Sequence, residues 1–311
     1  MRVASSAIPD SLVTQLTQLN ARQHRLLEQA SSGQRVQSAA DDPVAMRQAL
    51  DAQTENRAQS QYQQNIAFLR ERSTLSLDTL QGLQRVVDRA AELATLADGT
   101  RSPAELQAYA SEVDQLLRHA VQVANARHGA DYLLGGTRTD QPPFVLTENA
   151  AGQATAVTYR GNAAVSELEV APGTTLTAQV PGANPTSTGP RGALADPRSG
   201  ADLFAHLIAL RDHLTAGDTR AIAATDRAAL ARDEDALLHH IAAGGATQAR
   251  LDAADAAASQ RTLALQKTVS RHTDADLAAT LVELSTTQNA YRAALQSGAT
   301  LLNTSLLDYL R

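Results

Sequence analysis

His206 and His213 stand one heptad apart and His239-His240 are adjacent, a spacing that invites metal ligation or proton transfer. Residues seven apart share a helix face, yet two turns, about 10 Å of rise, separate them, too far for one metal without further ligands. Asp212, Asp218 and Asp235 would lend oxygen, but no His-Glu-x-x-His signature is present, so no metal site is expected. Asp41-Asp42 and Asp274-x-Asp276 resemble acid-base pairs. Each precedes a helical run, where a carboxylate caps free amides, and capping is the simpler role. Gly135-Gly136 and Gly244-Gly245 lack the lysine of a phosphate loop and read as turns or hinges, the second pair as a kink or break in a helix. Without cysteine there is no thiolate nucleophile, disulfide or thiolate ligand. These residues form no catalytic constellation, and neither an enzyme nor a cofactor is expected.

The elements carrying them are helical and poor in aromatics. A chain of 311 residues is long enough for two or more domains. Aromatic residues make up only 3% of it and Trp is absent, which argues against an aromatic-lined pocket and for thin packing of Ala- and Leu-rich helices. The net charge of -6 gives no field that draws nucleic acid or an anionic membrane surface. No apolar run reaches membrane-span length, so no membrane insertion is expected, and the N-terminus reads as lacking a secretory signal.

Leu12, Leu16, Leu19, Leu26 and Ala30 recur at spacings of four and three, predicting a helix over about Pro9–Ala30 that Gly33 closes. Asp41-Asp42-Pro43 starts a second helix running to about Asp98, with Ile66, Leu69, Leu80, Leu83, Val87, Ala90, Ala94 and Ala97 on one seam. Ser102-Pro103-Ala104-Glu105 is a capping box opening a third helix to about Arg127. Between Gly135 and Gly200, alternating runs such as Val157-Thr158-Tyr159, Leu168-Glu169-Val170 and Leu176–Val180 are separated by turn pairs, predicting a small antiparallel β insertion. Helical pattern resumes at Leu203, turns at Gly217-Asp218, and ends in a second heptad seam through Leu277, Leu281, Leu284, Tyr291, Leu295, Gly298 and Leu302. Between Leu277 and Leu302 only Glu283 and Arg292 are charged. Such a face lets other helices approach without desolvating charge.

Ser31-Ser32-Gly33-Gln34-Arg35-Val36, followed by Ser38-Ala39-Ala40-Asp41-Asp42-Pro43, resembles the N-terminal signature of bacterial flagellins and their hook-filament junction relatives. Val269-Ser270, Asp274-Ala275-Asp276-Leu277, Leu284-Ser285, Gln288-Asn289-Ala290-Tyr291 and Ser305-Leu306-Leu307-Asp308-Tyr309-Leu310 are similar to the family's closing region. Pro43 after the Asp pair, the Asp308-Tyr309-Leu310 ending and Asp140-Gln141-Pro142-Pro143-Phe144 favour the junction branch, with flagellin itself, the filament subunit, as the alternative.

The resemblance implies a mainly α fold with a small β insertion: an elongated bundle of coiled-coil arms, with N- and C-terminal helices paired and the β domain outward. The expected segments are 1–42 and 273–311 for assembly, 43–134 and 201–272 for the two halves of a helical rod, and 135–200 for the β domain. The assembly interface would use Leu12, Leu16, Leu19 and Leu26 on one helix and Leu277, Leu281, Leu284, Tyr291, Leu295, Leu302 and Leu306 on the other. Implied partners are the other hook-associated junction protein, flagellin, further copies of the chain in a ring, and an export chaperone recognising approximately Leu277–Arg311. The implied location is the extracellular flagellum, reached by type III export without a cleaved signal.

Overall fold

The computed structural model describes residues 4–309 apart from residue 187, with side chains over residues 10–300. Helix α1 (Ala4–Ser32) is followed by α2 (Pro43–Leu96) and α3 (Pro103–Ala124). Then come four strand pairs, α4 (Leu203–Ala216), the single turn α5 (Thr219–Ala221), a π-helical turn at Ile222–Asp226, α6 (Arg227–Thr273) and α7 (Leu277–Tyr309). The mainly helical reading with a small β portion is what the chain adopts. Helix α1 starts at Ala4, ahead of the expected Pro9. The chain forms two compact units, one from residues up to 58 together with residues from 261 on, the other from residues 59–260.

The second unit holds the main core. Every seam residue read on α2 is buried there, from Ile66 to Ala97. The small Ala90, Ala94 and Ala97 leave room for Val113, Leu117 and Ala120 of α3 and for Leu207, Leu210 and Leu214 of α4 in the same cluster. Ser102 and Glu105 form the expected reciprocal cap of α3. Gly244-Gly245 is no break: α6 runs through it, and a Cβ on Gly244 would lie 2.6 Å from Leu77 Cδ2. The glycine serves close packing rather than a hinge.

The β portion differs from a single insertion. It begins at Arg127 and consists of four separate antiparallel pairs: β1 (Arg127–His128) with β2 (Asp131–Tyr132), β3 (Phe144–Glu148) with β4 (Ala154–Tyr159), β5 (Leu168–Ala171) with β6 (Thr174–Leu176), and β7 (Ala195–Asp196) with β8 (Ala201–Asp202). The run expected to continue to Val180 leaves the ladder after Leu176, where Thr177 Oγ1 accepts a hydrogen bond from the Gln179 amide and turns the backbone locally. A two-stranded ribbon is marginal by itself, and tertiary bonds secure β3 and β4. The Asn125 side-chain amide donates to Phe144 O at 2.8 Å and accepts from Phe144 N at 3.0 Å. The Tyr159 hydroxyl donates toward Leu134 O and Asn162 O. Phe144 lies 5.1 Å from Tyr159 and 5.0 Å from Phe204, centroid to centroid.

His206 and His213 do not converge. His206 Nδ1 is 2.7 Å from Asp233 Oδ2 and His213 Nδ1 is 2.8 Å from Asp226 Oδ2, so each reaches its own buried carboxylate. The bond to Asp233 holds His206 above its ordinary pKa, while burial pushes Asp233 up. Among the described residues no three His, Asp or Glu side chains gather as a metal set would.

Asp196, 1% exposed, organises the loop around β7 and β8. Its carboxylate accepts from Gly192 N at 3.0 Å, Arg198 N at 2.9 Å, Arg198 Nε at 2.9 Å and Arg198 Nη2 at 2.6 Å. The Arg198 guanidinium, with these amides, holds its pKa down at about 2 against an ordinary 3.8. A lowered carboxylate contributes stability that is present above the unfolded pKa and lost as pH falls through the folded one, here worth about 2 kcal/mol at neutral pH. Asp196→Ala is therefore expected to destabilise the chain by about 2 kcal/mol, the loss of the charged pair together with a buried Gly192 amide left without its acceptor. Denaturant unfolding checks this, and the difference between variant and parent should shrink as pH drops from about 4 toward 2.

Candidate assembly interface

The first unit contains the residues expected to assemble, and its joint explains the N-terminal signature residue by residue. Helix α1 closes at Gly33, whose φ of +72° is one that residues with a side chain rarely adopt. Ser32 Oγ donates to Glu28 O, and accepts from Gln34 N at 3.2 Å and from Gln37 Nε2 at 2.7 Å. Asp41 does not cap a helix as expected. Its Oδ2 gathers Gln37 N, Ser38 N and the Ser38 hydroxyl, which folds the connector, and those bonds lower its pKa. Asp42 is the cap: its Oδ1 accepts from Ala45 N at 3.0 Å, and Pro43 occupies the first helical position.

A second connector, residues 274–276, lies alongside. Arg35 N and Val36 N both donate to Thr273 O, at 2.6 and 3.3 Å, Ala275 N donates to Gly33 O at 2.9 Å, and Arg35 Nη2 donates to His272 O at 2.9 Å. Asp276 caps α7 through Ala279 N at 3.1 Å, as expected of it, whereas Asp274 accepts from the Ser270 and Thr273 hydroxyls. Further along the same two helices, Glu55 on α2 meets Arg261 on α6 in a two-pronged pair of 2.6 and 2.8 Å.

Helices α1 and α7 pair antiparallel, Leu12 meeting Gly298 and Arg22 bonding Glu283. On α1 the seam is the one read from the sequence: Leu12, Leu16 and Leu19 are half-buried and Leu26 is buried. On α7 the inward face is rotated from the expected one. It consists of Thr280, Leu284, Thr287, Tyr291, Ala294 and Gly298, also at spacings of four and three. Leu284 is buried and Tyr291 half-buried, but Leu277, Leu281 and Leu295 are 47%, 54% and 46% exposed. Leu302 and Leu306 lie outside the described side chains. The reason is shape: leucines of α1 fill the space above small residues of α7, as where a Cβ on Gly298 would come 2.5 Å from Leu12 Cδ2. Leucine facing leucine would hold the two axes further apart.

The rotation leaves an apolar stripe on α7, Leu277, Leu281 and Leu295, with Val282 beside it at 68% exposure. Sequence reasoning missed Val13, Val44, Leu50 and Leu263, which are also exposed. Among the described residues nine of the eleven exposed large hydrophobics belong to the first unit; only Phe68 and Leu238 lie in the second. The signal available in advance was the scarcity of charge on α7.

Residues 5–139 match the family described as the bacterial flagellin N-terminal helical region. Flagellar hook-associated protein 3 of Salmonella typhimurium is 26% identical over 146 residues, 46% of each chain, so the chain matches about half the length of that relative. Among solved structures, a Vibrio parahaemolyticus protein assigned to the flagellar hook-associated proteins superposes with a TM-score of 0.64 at 22% identity, over 75% of this chain and 100% of that one. FlgL of Bacillus cereus superposes with a TM-score of 0.55 at 22% identity, over 70% and 97% respectively. The resemblance read from the signature holds, and the fold is that of these hook-associated proteins.

Two leucines three residues apart on α7 should respond differently to truncation. Leu284→Ala removes a buried side chain and is expected to lower the stability of the α1–α7 pair by about 2 to 3 kcal/mol. Leu281→Ala, on the exposed face, should stay within about 0.5 kcal/mol. Amide hydrogen exchange of α1 and α7 in a verified monomer reads both, and equal effects would contradict the assigned face.

Proposed function

We propose that this relative of the flagellar hook-associated proteins is a structural subunit joining hook to filament, assembled through its terminal helices. The observation that supports the reading best is the concentration of exposed apolar side chains on the first unit. Monomeric proteins seldom expose a large contiguous apolar patch, and such patches mark sites of association. The α7 stripe is interrupted by few charges, so a neighbouring helix approaches it without stripping water from an ion.

In this reading the chain catalyses nothing. Its partners are other copies of itself in a ring, the other hook-associated junction protein on the hook side and flagellin on the filament side. An export chaperone covers approximately Leu277–Arg311 before assembly, and the working location is the flagellum outside the cell. The hook-associated character of the relatives, together with Pro43 after Asp42, weighs against the chain being the filament subunit.

Leu281→Asp combined with Leu295→Asp is expected to abolish filament attachment while leaving the monomer folded, since both side chains are already exposed in the single chain. Each position, already about half covered in the single chain, forfeits roughly 1 kcal/mol of further burial in the assembly, and each carboxylate adds a desolvation cost. Cells carrying only this variant should secrete flagellin yet show bare hooks by electron microscopy, with the variant itself measured in the medium. Normal filaments on such cells would contradict the proposal.

A further inference from the structure

Helix α6 and the loop around β7 and β8, both within the second unit, flank an open cavity of about 170 Å³ lined by Arg191, Ser199, Arg232, Asp235, His239 and His240 among others. Its chemistry is unbalanced. Among the described residues neither the Arg191 nor the Arg232 guanidinium has a hydrogen-bond or ion-pair partner, Asp235 included. Two histidine rings meet edge to face at 5.4 Å on the same wall. Arg191 and His240 also wall an adjoining cavity of about 200 Å³, where Ser76 is 3% exposed and its hydroxyl has no partner. Two guanidiniums and one carboxylate, that of Asp235, line the first cavity, in a chain whose net charge is -6.

The loop half of the site is held in place. Asp196 binds Gly192 N and Arg198, fixing the backbone next to Arg191. Ser199 Oγ is committed to backbone groups, accepting from Ala201 N and donating to Asp196 O. Of the groups lining the two cavities, the Ser76 hydroxyl is the buried one without a partner; the Arg191 and Arg232 guanidiniums and the His239 ring are exposed at the cavity mouth, and His240 bonds the Gly192 backbone. Planar guanidinium forks match the oxygens of phosphate and carboxylate in pairs.

We propose that Arg191, Arg232, His239 and His240 form a receptor for one small oxyanion, of the phosphate or carboxylate kind, which ties the β7–β8 loop to α6. Burial, aided by the His239 ring, pushes His240 down to about 4, so at neutral pH the site presents two fixed positive charges and a neutral His240 ring. Asp235 and Asp196 are the carboxylates nearby, and Asp196 is taken up by Arg198. An oxyanion between the arginines favours the protonated form of the His240 ring.

Titration of the full chain with inorganic phosphate, and separately with acetate, at neutral pH and constant ionic strength tests this. The expected result is a saturable rise in Tm and a rise in the His240 pKa followed by proton NMR, with either anion. Arg191→Ala combined with Arg232→Ala should weaken binding by roughly tenfold or more while circular dichroism stays unchanged. If that pair of changes disturbs folding, shift mapping on the parent protein decides: changes centred on His239 and His240 support the site, and changes centred elsewhere overturn it. Absence of saturable binding by both anions, or equal binding by the folded double variant, would also overturn it.

Discussion

The Thr273 carbonyl accepts from two amides, Arg35 N and Val36 N, and the arrangement of the first unit depends on that meeting. A helix end leaves backbone groups without partners, and here the chain breaks between helices twice. The break between α1 and α2 and the break between α6 and α7 satisfy one another, through Thr273 O, Gly33 O and His272 O. Side-by-side connectors send α1 and α7 away from the same joint, which brings the two helices into antiparallel register. The signature residues hold this joint. Gly33 turns the chain, Ser32 and Asp41 bind the exposed amides of the connector, and Asp42 with Pro43 restarts the helix.

Beyond the joint, the two units treat apolar side chains differently. In the second unit leucines and alanines interlock until most are fully buried, and several ionic groups are drawn inside with partners: Asp196 with Arg198, Asp233 with His206, Arg211 with Asp114 and Asp212. In the first unit leucines of α1 meet threonine, alanine and glycine of α7 beside Leu284 and Tyr291, and Leu277, Leu281 and Leu295 of α7 turn outward. The same residue type is core in one unit and available surface in the other, according to what stands opposite it.

Much of this could be read from the chain. The seam on α2 from Ile66 to Ala97, the box at Ser102-Glu105, the turn at Gly217 and the leucine seam of α1 appear where the 3.6-residue period and the capping residues put them. The face of α7 could not be read, because Leu277, Leu281 and Leu295 and the set Thr280, Thr287 and Ala294 both recur at heptad-compatible spacings, each overlapping with Leu284, Tyr291 and Gly298. Choosing between them requires knowing that leucines already occupy α1. The separation of the β portion into four pairs was hidden for a similar reason: the bonds of Asn125, Tyr159 and Thr177 are side-chain choices that alternation does not record. The site at Arg191 and Arg232 joins a loop to a helix more than thirty positions away, which no local pattern reveals.

The small-residue face of α7 also sets a temperature signature. Heat capacity changes in proportion to the apolar area removed from water, and Thr280, Thr287, Ala294 and Gly298 offer little of it. The heat-capacity change of the α1–α7 pair thus comes mainly from the leucines of α1 together with Leu284 and Tyr291. Association through Leu277, Leu281 and Leu295 would bury a larger apolar area, with a driving force that is almost entirely entropic near room temperature and weakens on cooling. Warming from the cold therefore strengthens contacts made through the outward stripe.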